Sequence, residues 1–322
     1  MKVANRAPIA TRDGFGQALC EIGATDERIV CVEADISKST RSCLFAQHFP
    51  SRFFNVGVAE QNAIGVAAGI ASCGLIPFVS TYAVFASMRA CEQVRTTVAY
   101  PRANVKICVS HGGLTPGNDG VTHQGTEDMG LMRTIPNMVV IMPCDFTQMR
   151  AAVFAAAKYD GPVYIRGTRD AMPHLYDEEI TDRYTIGRAI RLKDGGDVAI
   201  VAIGDMVSHA LRAARELAGS GLEAMVIDMH TLKPLDENIV VQAALQTGAV
   251  VTVEDHNILN GLGSAVAEVL AERAPVPMRR IGLRDTFAES GPYPALLAKY
   301  GLAVADIVDA ARAVVGRKER SK

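Results

Sequence analysis

Glu60 is the residue whose surroundings most suggest chemistry. It follows a predicted strand (53–56) and begins a predicted helix rich in alanine and glycine, so a single carboxyl lies at the junction. Residues 63–74 are nearly all small or apolar, and poor solvation disfavours an ionised carboxyl. Such a group is suited to handing a proton to a ring nitrogen. A glutamate that only stabilises a helix start would have the same spacing.

Tyr82 and Phe85 form a second candidate feature, directly after a predicted strand (76–80). Two aromatic rings three residues apart could cover one side of a flat heterocycle. Burial of both rings in the core is the default alternative.

The loop 111–124 is a third feature, with five glycines or prolines between a predicted strand and helix. It contains His111, Asp119 and His123, and a tightly turned loop with two histidines and an acid indicates contact with a ligand. A structural loop with incidental histidines is the weaker reading.

A fourth feature is a dispersed set of anion-binding candidates: Arg12, Ser39, His111, Arg166 and Arg169. Each arginine taken alone is more typical of a surface salt bridge. All four features fall near the carboxyl ends of predicted strands, where open α/β sheets bind their ligands.

Composition narrows the class of protein. The 322 residues suggest about two domains, and 33 Lys and Arg against 35 Asp and Glu give no positive field for nucleic acid or membrane. Seven irregularly spaced cysteines without a CxxC pair indicate a reducing compartment. No apolar run reaches the roughly 18 residues needed to span a bilayer, so the prediction is a cytoplasmic protein.

Short β-branched runs alternate with helical stretches, which predicts an α/β fold with two parallel sheets. Predicted strands of the first set are 29–32, 53–56, 76–80, 105–110, 138–142 and 163–166, and those of the second are 198–203, 224–228, 250–254 and 279–283. Asp145, with Gln148 three residues on, predicts a helix start. The predicted domains are 1–171 and 191–322, joined by a polar linker, 172–190.

Three motifs in this order resemble transketolase, namely Val-Gly-Val-Ala-Glu-Gln-Asn (56–62), Ser-Thr-Tyr-Ala-Val-Phe (80–85) and Gly-Asn-Asp-Gly-Val-Thr-His-Gln (117–124). The resemblance continues through 135–138, 142–145 and 161–166 and covers essentially the whole chain. It implies two doubly wound domains, a pyrimidine-binding domain followed by the family's carboxy-terminal domain. The 1-deoxyxylulose-5-phosphate synthases share much of the pattern, and the beta subunits of 2-oxoacid dehydrogenases share it more distantly.

The resemblance implies thiamine diphosphate as the cofactor. Glu60 matches the glutamate that hydrogen-bonds the N1′ nitrogen of the aminopyrimidine and so promotes deprotonation of the thiazolium carbon. Phe85 matches the ring that stacks on the pyrimidine, with Tyr82 beside it. Asp119 and His123 match residues that meet the sugar hydroxyls and fix the orientation of the substrate.

The same resemblance implies a binding place for the substrate's distal phosphate, because Arg12, Ser39, His111 and Arg169 align with four residues that hold it. Forked guanidinium contacts suit a phosphate, and a sulfonate presents similar oxygens at lower charge. Arg166 would be a further cation close to this end. Asn118 and Met88 depart from the family pattern and leave room for a branched or sulfonated sugar.

The family's diphosphate site is missing, since no Gly-Asp-Gly with a downstream asparagine occurs. Gly204-Asp205 is the only Gly-Asp pair in a plausible strand-end position and is interpreted as a loop, because it lacks the next glycine and the downstream asparagine. An amino-terminal transketolase subunit is therefore expected to supply the diphosphate and Mg²⁺ ligands, with no metal ligands on this chain. The expected assembly is a heterotetramer with two copies of each subunit.

Three functions compete. The first is transfer of a two-carbon ketol unit between sugar phosphates, as in pentose phosphate metabolism. The second is the beta subunit of a 2-oxoacid dehydrogenase, or a 1-deoxyxylulose-5-phosphate synthase-like enzyme, and the third is a non-enzymatic binding partner. A dehydrogenase would not need Asp119, His123 and the four phosphate residues, and a non-enzymatic chain would not need Glu60 and Phe85. His256, in the second domain, is more readily a packing residue than a catalyst.

Overall fold

The computed structural model describes residues 6–320, in which strands alternate with helices. The strands of the first half are β1 (Ile9–Ala10), β2 (Ile29–Glu33), β3 (Phe53–Asn55), β4 (Ile76–Tyr82), β5 (Lys106–Ser110), β6 (Val139–Ile141), β7 (Val163–Arg166) and β8 (Ala171–Met172). Its helices are α1 (Thr11–Thr25), α2 (Ser37–Thr40), α3 (Cys43–His48), α4 (Glu60–Ser72), α5 (Cys91–Gln93), α6 (Asp128–Thr134) and α7 (Phe146–Lys158). Two π-helical segments, Phe85–Arg89 and Val94–Ala99, flank α5, and two 3₁₀ turns cover Pro50–Arg52 and Gly117–Asp119.

The second half begins with a short helix, α8 (Ile180–Arg183). Its strands are β9 (Ile190–Lys193), β10 (Val198–Ala202), β11 (Ala224–Asp228), β12 (Thr231–Lys233), β13 (Val250–Asn257) and β14 (Met278–Leu283). Its other helices are α9 (Met206–Ala218), α10 (Glu237–Thr247), α11 (Leu262–Arg273), α12 (Tyr293–Lys299) and α13 (Val304–Arg320).

The first sheet has seven strands in the order β12-β6-β7-β5-β4-β2-β3. Its strands are parallel except β12, which pairs antiparallel with β6 although it comes from the second half of the chain. Alternate residues face opposite sides, as strand geometry requires. Cys31 and Phe78 pack into one core with α1 and α7, whereas Val32 and Val79 pack into the other with α4.

The second sheet has five strands in the order β14-β13-β10-β11-β9, and only β9 is antiparallel. Met225, Val226, Ile227 and Val251, which lie in predicted strands, are fully buried, as the apolar runs predict. The predicted α/β fold with two sheets is confirmed, and β9 and β12 are edge strands that the sequence pattern did not predict.

The segment 172–190 is better packed than its composition suggests. It begins in β8, which pairs with β1, and it buries Leu175, Tyr176, Ile180 and Tyr184. The domain limits within the chain stay predictions, and the outer limits, residues 1 and 322, lie outside the described residues.

Asp145 holds this segment against α7. One carboxylate oxygen accepts the Gln148 N–H at 2.7 Å, which confirms the predicted cap. The other oxygen accepts the N–H groups of Leu175 and Tyr176 at 2.7 and 2.9 Å. A single buried carboxylate therefore satisfies three backbone donors.

Asp145→Ala is expected to lower the free energy of unfolding by about 3 kcal/mol, because it removes a helix cap and leaves buried N–H groups without acceptors. Chemical denaturation followed by circular dichroism measures the loss. Asp309→Ala, on an exposed position of α13, is the matched control and should change stability by less than about 0.5 kcal/mol. Equal losses in both variants would contradict the assigned role of Asp145.

Candidate functional site

The carboxyl ends of β2, β4 and β5 bring the predicted site residues to one edge of the first sheet. Tyr82 ends β4, His111 follows β5, and Ser39 lies in α2, which follows β2. The glycine-containing loop 111–127 then carries Asp119 and His123 back over this edge. These residues therefore lie near the carboxyl ends of strands, where open α/β sheets bind their ligands.

Four rings pack together there. Tyr82 stacks on His111 with ring centroids 3.8 Å apart, and Phe85 lies 5.5 Å from Tyr82. His123 meets both Tyr82 and Phe85 edge-on, at 5.8 and 5.6 Å. Tyr82 is buried by these contacts, while Phe85 and His123 keep partly exposed surfaces. Phe85, rather than Tyr82, is therefore the ring available to a flat ligand.

His111 joins this ring cluster to the cations. It is buried with a positive φ of 64°, and its Nδ1 lies 2.8 Å from the Ser110 hydroxyl. Burial lowers the pKa of His111 to about 3, and the nearby Arg12 and Arg169 charges act in the same direction. The imidazole is accordingly neutral near pH 7 and offers hydrogen bonds without a charge.

Arg12 and Arg169 are close enough to repel each other. Burial lowers the pKa of Arg12, and the positive charges of Arg41 and Arg169 lower it further. Arg12 donates to the Ser39 carbonyl at 2.9 Å, and Arg169 donates to the Pro116 carbonyl at 2.6 Å. An anion bound between Arg12 and Arg169 would relieve this repulsion. The hydrogen bond from Arg12 to its carbonyl also keeps Ser39 next to this arginine.

Asp119 lies beside these cations in the 3₁₀ turn Gly117–Asp119. Its carboxylate is 3.7 Å from the Arg169 guanidinium, and its side chain is 35% exposed. Positive φ angles at Gly117 and Gly120 form the turn on either side of it. Asp119 offsets part of the positive charge and presents an acceptor to a bound polar group.

Glu60 begins α4, and only 6% of its side chain is exposed. One face of the helix is buried, as the apolar sequence predicts, but Gln61, Asn62, Gly65 and Gly69 are exposed. A Cβ added at Gly65 or Gly69 would meet nothing within 4 Å. The wall beside Glu60 is thus apolar on the inner side and open on the outer side.

The Glu60 carboxylate is linked to the ring cluster by Arg89, a residue that the sequence analysis did not single out. Arg89 Nη1 lies 3.3 Å from Glu60 Oε1, and its guanidinium carbon lies 3.8 Å from the centroid of Phe85. Arg89 follows Phe85 by one π-helical turn, a spacing that gives no local sequence signal.

Arg166 is not part of the candidate anion-binding site, which consists of Arg12, Ser39, His111 and Arg169. The prediction of Arg166 as a further cation near the phosphate end was wrong. The side chain is fully buried, 3.2 Å from Asp128, and it donates to the carbonyls of Gly125 and Asp255 at 2.6 and 2.9 Å. Burial opposes its charge, but Asp128 and Asp255 nevertheless raise the pKa of Arg166. The side chain is thus enclosed between the loop 111–127, α6 and β13 of the second domain, and it has no exposed surface to offer an anion.

Glu33 is a second residue that sequence reasoning missed. It ends the otherwise apolar strand β2 and is fully buried, with one oxygen accepting the Ile36 N–H at 2.7 Å. Burial raises the pKa of Glu33 to about 7. An acidic residue at the end of an apolar strand is the sequence signal that could have identified Glu33. Its hydrogen bond with the Ile36 N–H positions the turn before Ser39.

His256 is a packing residue, as the sequence suggests. Its Nε2 accepts the Gly130 N–H at 3.2 Å and its Nδ1 lies 2.6 Å from the Asn257 carbonyl, so both ring nitrogens have backbone partners. Burial lowers the pKa of His256 to about 4. Within residues 6–320, no group of three His, Cys, Asp or Glu side chains could hold a metal ion, and no helix is long and apolar enough to cross a membrane.

Comparison with known proteins identifies the family of both domains. The family description "Transketolase, pyrimidine binding domain" matches residues 7–174, and "Transketolase, C-terminal domain" matches residues 187–307. The chain is 47% identical over 307 residues to the 6-deoxy-6-sulfo-D-fructose transketolase subunit SqwH of Clostridium sp. (strain MSTE9), covering 95% of each chain.

Two further proteins match over nearly their whole length. A putative transketolase C-terminal section of Methanocaldococcus jannaschii is 47% identical over 292 residues, which cover 90% of this chain and 92% of that one. A solved structure described as "Split gene transketolase, inactive beta4 tetramer" superposes with a TM-score of 0.89 and 48% identity, over 97% of this chain and 100% of that chain.

The chain therefore belongs to the transketolase family, and the resemblance carried by its motifs is confirmed. Within the family, it corresponds to the carboxy-terminal subunit of a split transketolase, with a pyrimidine-binding domain followed by a C-terminal domain.

Removal of Asp128 tests the reassignment of Arg166. Asp128→Ala should lower the free energy of unfolding by about 3–5 kcal/mol, because it leaves a buried guanidinium without its counter-charge. Asp119→Ala removes the partner of the more exposed Arg169 and should cost less than about 1 kcal/mol. Chemical denaturation compares the two variants, and a loss for Asp128→Ala as small as that for Asp119→Ala would contradict the buried-pair interpretation.

Proposed function

We propose that this chain is the carboxy-terminal subunit of a thiamine diphosphate-dependent transketolase, which transfers a two-carbon ketol unit between sugar phosphates or a sulfonated or branched analogue. One observation carries the proposal. A line of contacts runs from Glu60 through Arg89 and Phe85 to His123, Tyr82 and His111, and the charges of Arg12 and Arg169 act on His111 at its far end. A nearly buried carboxyl and the candidate anion-binding residues Arg12, Ser39, His111 and Arg169 thus lie at the same edge of the sheet.

The residues present fit the pyrimidine end of the cofactor. A flat guanidinium already lies 3.8 Å from Phe85 and contacts Glu60, so the same place accepts a flat, nitrogen-bearing ring. Thiamine diphosphate, when bound, supplies the carbon nucleophile and the electron sink of ketol transfer. Glu60 would hold the proton shared with the N1′ nitrogen, and Phe85 would stack on the ring.

The other proposed residues orient the substrate. Asp119 and His123 lie on one loop, between Phe85 and the arginine pair, where they would bind sugar hydroxyls. Neutral His111 would donate or accept a hydrogen bond, while Arg12 and Arg169 would carry the charge that binds the distal anion. Ser39 would add a contact from α2.

The proposed partner is an amino-terminal subunit with the diphosphate and Mg²⁺ ligands. The exposed face of α4, next to the nearly buried Glu60, is the surface that such a subunit would cover. Names of the relatives support a divided enzyme, since they describe a "subunit", a "C-terminal section" and an "inactive beta4 tetramer". We expect a heterotetramer, located in the cytoplasm.

The candidate anion-binding site also favours a sugar substrate over a 2-oxoacid. A 2-oxoacid dehydrogenase beta subunit would not need Arg12 and Arg169 for a distal anion, nor Asp119 and His123 for sugar hydroxyls. The end group is a phosphate or a sulfonate, because both present oxygens to the arginine pair. A phosphate monoester takes up a proton near pH 6, whereas a sulfonate does not.

Glu60→Gln in the complex with the partner subunit tests the function. The amide cannot take up or release the proton, so turnover of a ketose phosphate donor should fall about 10²- to 10⁴-fold while the complex still assembles. Steady-state kinetics and size-exclusion chromatography measure the two properties. Glu92→Gln, an exposed position with the same change of charge, is the control and should retain turnover.

A wild-type complex without ketol-transfer activity on any sugar phosphate or sulfonate would contradict the proposal. So would a Glu60→Gln complex that turns over as fast as the wild type. Calorimetry with thiamine diphosphate and Mg²⁺ should show binding by the mixture and not by this chain alone.

Arg169→Ala tests the candidate anion-binding site. It should raise KM about ten- to a hundredfold for a ketose with a phosphate or sulfonate end and leave an unsubstituted ketose nearly unchanged, because a charge-assisted contact is lost. For the wild type, KM for the phosphate should rise as pH falls through about 6, where the dianion takes up a proton, while KM for the sulfonate stays constant.

The control is Arg183→Ala, which removes a guanidinium paired with Asp177 at the surface. Its KM values should match those of the wild type. Equal increases for charged and unsubstituted ketoses in Arg169→Ala would rule out an anion-binding role.

A further inference from the structure

Arg89 makes the two contacts that the proposed function assigns to the cofactor's pyrimidine. Its Nη1 lies 3.3 Å from Glu60 Oε1, and its guanidinium carbon lies over the Phe85 ring, 3.8 Å from the centroid. A flat group that donates to a carboxylate and stacks on an aromatic ring resembles an aminopyrimidine in shape.

These contacts and those of a bound pyrimidine exclude each other. A separation of 3.8 Å is van der Waals contact, so no second ring fits between Arg89 and Phe85. Tyr82 and His123 also pack against Phe85, with ring centroids 5.5 and 5.6 Å from its centroid. The guanidinium must therefore move before the proposed ring can bind.

The backbone of Arg89 is fixed, whereas its side chain can leave. Its carbonyl accepts the Gln61 amide at 3.0 Å, and the next residue, Ala90, is fully buried. The segment Phe85–Arg89 is a π-helix, which places Arg89 over the residue that begins the turn. The side chain is 52% exposed, so water can solvate the guanidinium once it swings outward.

We propose that Arg89 is a positioning residue of the pyrimidine site. In the cofactor-free chain it holds the Glu60 carboxylate and the Phe85 ring in their binding arrangement, and it competes with the cofactor for both. Cofactor binding displaces the guanidinium towards solvent, and Arg89 thereby sets the cofactor affinity. This inference rests on the proposed function, because it takes thiamine diphosphate as the ligand.

An incidental surface ion pair would look similar but behave differently. A purely surface pair contributes little and does not oppose a ligand. A competitor weakens binding by the free energy of the contacts that the ligand must break. Removal of Arg89 should therefore strengthen cofactor binding, which is opposite to the effect of removing a residue that contacts the cofactor.

Calorimetry of thiamine diphosphate with Mg²⁺, on the complex of this chain with its partner subunit, tests the proposal. Arg89→Met should lower Kd roughly three- to thirtyfold, the combined effect of one partly exposed ion pair and one cation–π contact. Arg89→Lys keeps the charge without the flat group and should lie between Arg89→Met and the wild type. Arg95→Met removes an exposed arginine of the next π-helical segment and should leave Kd unchanged.

A double-mutant cycle supplies a readout that a structural role would not move. In Glu60→Gln, whose side chain no longer attracts the guanidinium, Arg89→Met should tighten binding by a smaller factor than it does in the wild type. If the wild-type complex binds the cofactor and the Arg89→Met complex binds it with unchanged or weaker affinity, the inference about Arg89 is overturned and the proposed function is not. A wild-type complex that does not bind the cofactor overturns the proposed function, and this inference with it.

Discussion

The buried guanidinium of Arg166 is the constraint on which the site depends. It lies at the carboxyl end of β7 and meets the Asp128 carboxylate, together with carbonyls from the loop 111–127 and from β13. A buried charge is tolerated only when it is paired and its donors have acceptors. The loop, α6 and the second domain must therefore come together in one arrangement around Arg166.

This arrangement explains the paired glycines that follow His111. A Cβ at Gly112 would lie 2.3 Å from Arg166 Nε, and a Cβ at Gly113 would lie 2.1 Å from an Asp255 carboxylate oxygen. Gly113 also has a φ of +59°. Only a chain without side chains at these two positions can pass beside Arg166 and Asp255, and the rest of the loop then continues over the sheet edge towards Tyr82.

Structural features that depend on neighbouring residues could be predicted from the sequence, whereas features that depend on distant residues could not. The apolar runs predicted the central strands, and Asp145 with Gln148 predicted a cap, because these depend on neighbouring residues. The pairing of β12 with β6 joins residues some ninety positions apart in a short, partly polar strand, and no local pattern shows it. Arg166 was assigned wrongly because an arginine at this position suggested an anion-binding residue. The direction of its side chain, however, depends on the packing of two domains. The placement of Arg89 over Phe85 follows from a π-helical turn, which the helical period of the sequence does not reveal.

The second domain contributes no proposed site residue, yet it holds both ends of the loop 111–127. Asp255 accepts the Leu114 N–H at 2.8 Å near the beginning of the loop, and Thr126 accepts the Asn257 N–H at 2.8 Å near its end. Both ends of the segment that carries Asp119 and His123 are thus held by β13. The shared strand β12 ties the same domain to the first sheet. Since both ends of the loop are held by the second domain, its geometry depends on the domain interface, and changes at that interface reach the site without any contact with a ligand.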